Sequence, residues 1–230
     1  MHHERQGKTY AYDIETVSQG KRASDYTNNG VEYKAPSNYK DPEKIEKNIK
    51  EQKEKAKGGH GLKWWTGKVC SIAFVEIYGD DRQVFYGFDE AEVLLKATEL
   101  LNHGSKIVGM SSEGFDAPFL VGRYMANGLM IPRSLKIKAC QYDVNKFFGF
   151  SASSGQRGKL NDYAHGIGFK EKPLSGNKVQ GIYDTALDAK MQGDELAEAG
   201  AWKQITEYNL HDCDAVKALT RAYYGSEGIG

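Results

Sequence analysis

An α/β domain built on a mixed β-sheet is the fold class this sequence predicts. Three observations predict it: strand-like runs come first, strand and helix patterns then alternate, and the C-terminal third is mostly helical. The 230 residues suit a single domain, 1–230, carrying a large charged insertion at about 18–68. A chain of that length buries a core without disulfide or metal staples.

The first strand is the run Thr9-Tyr10-Ala11-Tyr12-Asp13-Ile14, whose aromatic and β-branched content suits a sheet. Residues 18–68 then change character, becoming rich in Lys, Glu, Asn and Gly. From Glu32 to Lys68 there are ten lysines against six acids, a local excess of four positive charges. Asp41-Pro42-Glu43 reads as a helix start, with Asp41 as cap, and the helix is expected over Glu43–Lys57 with a stop at Gly58-Gly59. This segment is either a solvated insertion or a basic flap over a substrate.

Regular structure resumes with the buried-strand pattern Val69–Val75, which a turn at Gly79-Asp80-Asp81 pairs with Arg82–Tyr86. Asp89 caps the next helix, with Glu92 three residues on completing a capping box. Val93, Leu94, Ala97, Leu100 and Leu101 line one face of it, and Gly104 is its expected end. Lys106–Met110 reads as a strand. Asp116 opens a second helix running through Leu120, Val121 and Tyr124 to Asn127-Gly128, and one more strand falls within Leu135–Val144. The last helix is expected from about Ala201 to Tyr224.

Composition removes several classes. The hydrophobic fraction is 40% and the charged fraction 27%, as in ordinary globular proteins, so collagen-like, disordered and disulfide-scaffold chains are excluded. No apolar run approaches the ~20 residues of a membrane span, and no segment has a signal-peptide core. Formal charge is zero, which neither points to nor excludes nucleic acid, because a binding face can be locally basic on a neutral protein. Cys70, Cys140 and Cys213 are far apart and form no CxxC pair, as expected of a reduced, cytoplasmic protein.

Three segments place acids where the local pattern wants none. Asp13 and Glu15 are two apart on the opening strand and so project from one face. Like charges side by side are destabilising unless a cation sits between them, and a hard divalent ion with oxygen ligands answers that need; a solvated strand end is the plain alternative. Asp116, in Gly114-Phe115-Asp116-Ala117-Pro118-Phe119-Leu120, follows a strand where a helix cap is the ordinary use of an aspartate. Tyr208 and Asp212 are four apart on one helix and share a face.

Taken in order, these segments resemble the three motifs of the DEDD superfamily of 3′→5′ exonucleases. More narrowly they resemble its tyrosine subclass, as in the proofreading domain of family B DNA polymerases. Asp13-Ile14-Glu15-Thr16 resembles the first motif, Glu113–Leu120 the second, and Tyr208 with Asp212 the Tyr-x-x-x-Asp third. The histidine subclass would want His where Glu207 stands. One departure is Ser111-Ser112, with Ser111 where the family commonly carries an Asn. A serine is shorter and lacks the amide, which bears on substrate gripping more than on metal chemistry.

The resemblance implies a ribonuclease H-like fold, a mixed sheet with helices on both faces. It implies two divalent cations, Mg²⁺ or Mn²⁺, about 4 Å apart. Asp13, Glu15 and Asp212 would hold one ion, and Asp13 would bridge to a second anchored by Asp116. Tyr208 would orient the attacking water, since a phenol with an ordinary pKa near 10 is a poor base. Ile14, Thr16, Ser111, Phe115 and Trp65 are the substrate-binding candidates, the two aromatics as stacking platforms for a single-stranded 3′ end. Phe115 is alternatively core, and Trp64-Trp65 alternatively anchor the insertion. Phe147, Phe148 and Phe150 read as core or hydrophobic surface, and His165 and His211 as satisfied structural histidines. The implied activity is hydrolysis of single-stranded DNA ends to nucleoside 5′-monophosphates, in replication or repair and with replication proteins as possible partners. A phage or viral source fits a free-standing domain of this kind. RNA trimming and a catalytically silent binding module are the alternatives.

Overall fold

The computed structural model describes residues 7–19, 33–102, 106–147, 158–170 and 176–225. Gly104, Phe148, Phe150 and residues 20–32 of the expected insertion lie outside the described residues.

The opening strand β1 (Thr9–Ser18) is the centre of the sheet. Next comes helix α1 (Pro42–Gly61), then β2 (Gly67–Glu76), β3 (Arg82–Tyr86) and helix α2 (Glu90–Asn102). After these follow β4 (Lys106–Gly109), helix α3 (Asp116–Ala126), a single turn α4 (Arg133–Lys136), β5 (Gln141–Asp143) and a second turn α5 (Val144–Phe147). Helices α6 (Leu160–Gly166), α7 (Val179–Gln192) and α8 (Glu195–Tyr224) complete the chain. The strands lie in the order β3-β2-β1-β4-β5. β2 is antiparallel to β1 and β3, whereas β4 is parallel to β1 and β5, so the sheet is mixed as expected.

Alternation along β1 divides the core. Tyr10, Tyr12 and Ile14 pack with Val93, Leu94, Leu101, Phe119, Leu120 and Tyr124 of α2 and α3 on one face. Ala11 and Val17 face the other way, into layers built by α5–α8. Helices therefore cover both faces. β2 breaks its own alternation at a bulge, where Glu15 pairs with Ser71 but Thr16 pairs with Val69. The extra residue, Cys70, joins the α7/α8 layer while Val69 and Ile72 face α2 and α3.

Several elements depart from expectation. Helix α1 runs through Gly58 and Gly59 to Gly61, with Asp41 Oδ1 accepting from the Glu43 N–H (3.0 Å). Asp89 caps α2, accepting from the N–H groups of Ala91 and Glu92, but the Glu92 side chain turns to Lys96 instead of closing a box. Helix α8 begins at Glu195, not near Ala201, because Asp194 caps it through the Ala197 N–H and Gly193, at φ 72°, ends α7 just before. Phe115 holds the cap position of α3 without a side-chain bond, so Asp116 is not a cap; it is the first helical residue.

Beneath α3 lies a buried ion pair. Glu90 accepts from Arg123 Nε (2.9 Å) and Nη2, from the Val69 N–H (2.7 Å) and from Asn127 Nδ2 (2.9 Å). Arg123 Nη1 donates to the Trp64 carbonyl (2.9 Å), tying the segment after α1 to α3. Trp64 also lies flat against Gly122: a Cβ there would meet its Cδ2 at 2.5 Å.

Candidate metal centre

Asp13 and Glu15 stand on β1 at the edge of its bulge with β2, the kind of irregularity that re-aims a side chain. Asp212 comes from the middle of α8, which lies across β1 and β2. One carboxylate oxygen from each of Asp13, Glu15 and Asp212 lies within 4.8 Å of the others. Glu15 and Asp212 are buried and Asp13 is half-buried. Three like charges held this closely favour a cation between them, and an all-oxygen donor set suits a hard divalent ion. The three acids that the resemblance groups around one ion therefore lie together.

Asp116 stands apart from that triad but within reach of its field. It is buried, and its carboxylate accepts its own backbone N–H and that of Ile14. Burial, with the charges of Asp143 and Asp212 adding to it, outweighs those two bonds and pushes its pKa from 3.8 up to about 7. The Cys213 thiol, buried on α8, is raised first by burial and then by the charges of Asp13, Asp212, Asp214 and Asp116. Tyr12 is likewise raised by burial, then by Asp116. Asp116 thus lies near enough to Asp212 for the two charges to interact.

Tyr208 is buried one turn before Asp212 on α8. Its hydroxyl is closely approached by Gly176, where a Cβ would lie 3.1 Å away. Ile14 is buried in the core and Thr16 is half-buried just past the bulge. Phe115 is half-buried, packed on the core with its ring 5.5 Å from that of Phe119. It combines a core contact with partial exposure.

Ser111 has φ 58°, a left-handed conformation uncommon for a non-glycine residue. Its N–H donates to Asp143 Oδ1 (3.0 Å) and its hydroxyl accepts from Asn145 Nδ2 (2.8 Å). The loop before Asp116 is fixed further by Asp143, which also accepts from the Glu113 N–H (3.2 Å). Trp65 is 59% exposed, its ring edge-on to Trp64 at 5.7 Å. Trp64 is the anchor of that pair. Phe147 is core, stacked on Tyr223. His165 is exposed. His211 is not the satisfied histidine expected: both ring nitrogens are buried without a hydrogen-bond partner among the described residues, and the ring meets Phe169 edge-on.

Two residues of the site were missed from sequence. Asp143 organises the Ser111–Glu113 loop from a strand end. Asn209 is fully buried and donates to Asp13 Oδ2 (2.7 Å). The signal for Asn209 was its place on the apolar stripe Ile205–Cys213–Val216 of α8, where an amide needs a partner.

No family model matches the chain, and no curated protein matches it. Among solved structures, it is similar to the family B DNA polymerase from the hyperthermophilic archaeon Pyrobaculum calidifontis, with a TM-score of 0.57 and 16% sequence identity. The match covers 94% of this chain and 24% of the polymerase chain. At that identity the likeness shows the fold, a ribonuclease H-like mixed sheet flanked by helices.

Proposed function

We propose that the protein is a metal-dependent 3′→5′ exonuclease that hydrolyses single-stranded DNA ends to nucleoside 5′-monophosphates, in replication or repair. The observation that carries this reading is the convergence of Asp13, Glu15 and Asp212 within 4.8 Å, with Asp116 near enough to feel the charge of Asp212. Asp13, Glu15 and Asp212 would hold one Mg²⁺ or Mn²⁺ ion, and Asp116 together with Asp13 would hold a second. When bound, such ions supply a nucleophilic water at neutral pH and charge stabilisation for the leaving 3′ oxygen.

The chain's own residues do the rest. Tyr208 orients the water through its hydroxyl, backed by Gly176. The exposed part of Phe115 stacks on a terminal base, and the Ile14–Thr16 backbone lies alongside that nucleotide. Ser111 gives its N–H to Asp143 and accepts from Asn145 at its hydroxyl, so it shapes the loop, with its O–H left to donate. Trp65, 59% exposed, serves as an outer platform on the basic segment before β2.

The test is a time course on 5′-labelled single-stranded DNA with Mg²⁺ or Mn²⁺, with EDTA and Asp212→Ala as controls. A one-nucleotide ladder shrinking from the 3′ end, lost in both controls, is expected. A folded protein that cleaves neither DNA nor a matched RNA in either metal would overturn the reading.

A further inference from the structure

Asn209 is used by no step above, yet it is among the most constrained polar groups in the protein. It is fully buried on α8, three residues before Asp212 and on the same side of the helix. Its Nδ2 donates to Asp13 Oδ2 at 2.7 Å, and its Oδ1 accepts from Ser71 Oγ, also at 2.7 Å. Ser71 is itself fully buried on β2, directly across the strand pair from Glu15.

The chemistry fixes the direction of this chain of bonds. An ionised Asp13 only accepts, so the amide must turn its NH₂ toward it. The amide oxygen then needs a donor, and the Ser71 hydroxyl is the donor present. The three groups join the strand carrying Asp13 and Glu15, its neighbour β2, and the helix carrying Asp212. An amide is also the right kind of donor. It orients a carboxylate without neutralising it, so the full negative charge remains for a cation, whereas a Lys or Arg would compete with one.

We propose that Asn209, itself held by Ser71, is a positioning residue of the metal centre: it fixes the Asp13 carboxylate and the spacing between β1 and α8 that brings Asp212 to it. The inference rests on the metal-dependent reading above. Residues that orient metal ligands from behind alter metal affinity when removed, by about 10–100-fold.

The test is direct Mn²⁺ binding to the purified chain, read from the electron paramagnetic resonance of free Mn²⁺, for wild type, Asn209→Ala, Ser71→Ala and Thr220→Ala. Thr220 is an equally buried α8 residue whose hydroxyl bonds only its own helix, at the Val216 carbonyl, so it reports ordinary loss of stability. Asn209→Ala should weaken Mn²⁺ binding at least about tenfold. Ser71→Ala should weaken it less, since Asn209 remains but is free to turn. Thr220→Ala should lower the melting temperature and leave Mn²⁺ affinity as in wild type. In the nuclease assay, Asn209→Ala should raise the half-saturating metal concentration and recover turnover at high metal. A folded Asn209→Ala with wild-type Mn²⁺ affinity overturns the inference; if that variant does not fold, unchanged affinity in Ser71→Ala overturns it. Wild type that binds no Mn²⁺ overturns the metal-centre reading itself, and this inference with it.

Discussion

Replacing Asp116 with Asn tests the electrostatics of the site without any substrate. In wild type free of metal, burial and the neighbouring acids push the Asp116 carboxyl from 3.8 up to about 7. A carboxyl whose pKa is raised on folding binds its proton more tightly in the native state. The stability it contributes is therefore full below the unfolded pKa near 4, and it is lost as pH rises through about 7. The raise spans about three pKa units, each worth 1.36 kcal/mol, so the loss is about 4 kcal/mol between pH 4 and pH 8. Asn cannot ionise, and its side-chain oxygen can still accept the Ile14 N–H.

The readout is urea unfolding by far-ultraviolet circular dichroism, in EDTA, at pH values from 4 to 8. Other groups titrate in both proteins, so the quantity to follow is the difference between Asp116→Asn and wild type. That difference should move in favour of the variant by about 4 kcal/mol across the range, with its steepest part near pH 5–6 and levelling off above about pH 7. Mg²⁺ at pH 8 should shrink it, because a cation favours the ionised aspartate and has less to act on in the variant. A difference that stays flat with pH would refute both the raised pKa and the crowding of acids that produces it.

Three other perturbations separate the scaffold from the chemistry. Glu90→Ala leaves the buried Arg123 guanidinium and the Val69 N–H without their acceptor, and should cost about 3–5 kcal/mol in urea unfolding. Gly122→Ala would drive a methyl into Trp64, and should cost about 1–3 kcal/mol with a red shift of tryptophan emission as Trp64 leaves α3. Tyr208→Phe should cut turnover on single-stranded DNA by about a hundredfold, as expected for a misplaced nucleophile, while Mn²⁺ affinity holds. An unchanged rate would remove Tyr208 from the reaction.

Local chemistry made much of the sheet legible. Arg82–Tyr86 is a strand with the bounds its pattern implies, since turn residues border it on one side and a helix cap follows on the other. β1 extends four residues beyond the expected end at Ile14, because Glu15 and Thr16 look polar in sequence yet are strand residues. The first turns of α8 were missed for the opposite reason. Glu195–Gly200 offers no apolar stripe, and only the cap at Asp194 marks the start. Asp13, Glu15 and Asp212 were legible as acids out of place. Their supports were not, because each is a contact across the fold: Asn209 meets Asp13 from 196 residues away and Ser71 from 138. For Asp116 the plain alternative to a metal ligand was a helix cap, and the structure makes it the first helical residue instead. A cap and a buried acid look alike until the position of Ile14 is known.

The spacing of the acids depends on residues with no polar chemistry at all. Helix α8 can place Asp212 beside Asp13 only if its axis lies close to the sheet, and side-chain size decides how close it comes. At the contact the sheet offers Ala11 and Ala73, and the helix offers Cys213 and Ala215, all essentially without exposure. The approach is near enough for the Cys213 thiol to donate to the Ala73 carbonyl at 3.4 Å. Interiors are close-packed, so a larger side chain at any of these positions would lift the helix as a body and carry Asp212 and Asn209 away from β1 together. The same small residues bring like charges near each other, and the resulting repulsion opposes folding when no cation is present. A divalent ion at the site proposed above would relieve that repulsion, so ion binding and the close approach of α8 to β1 should be coupled.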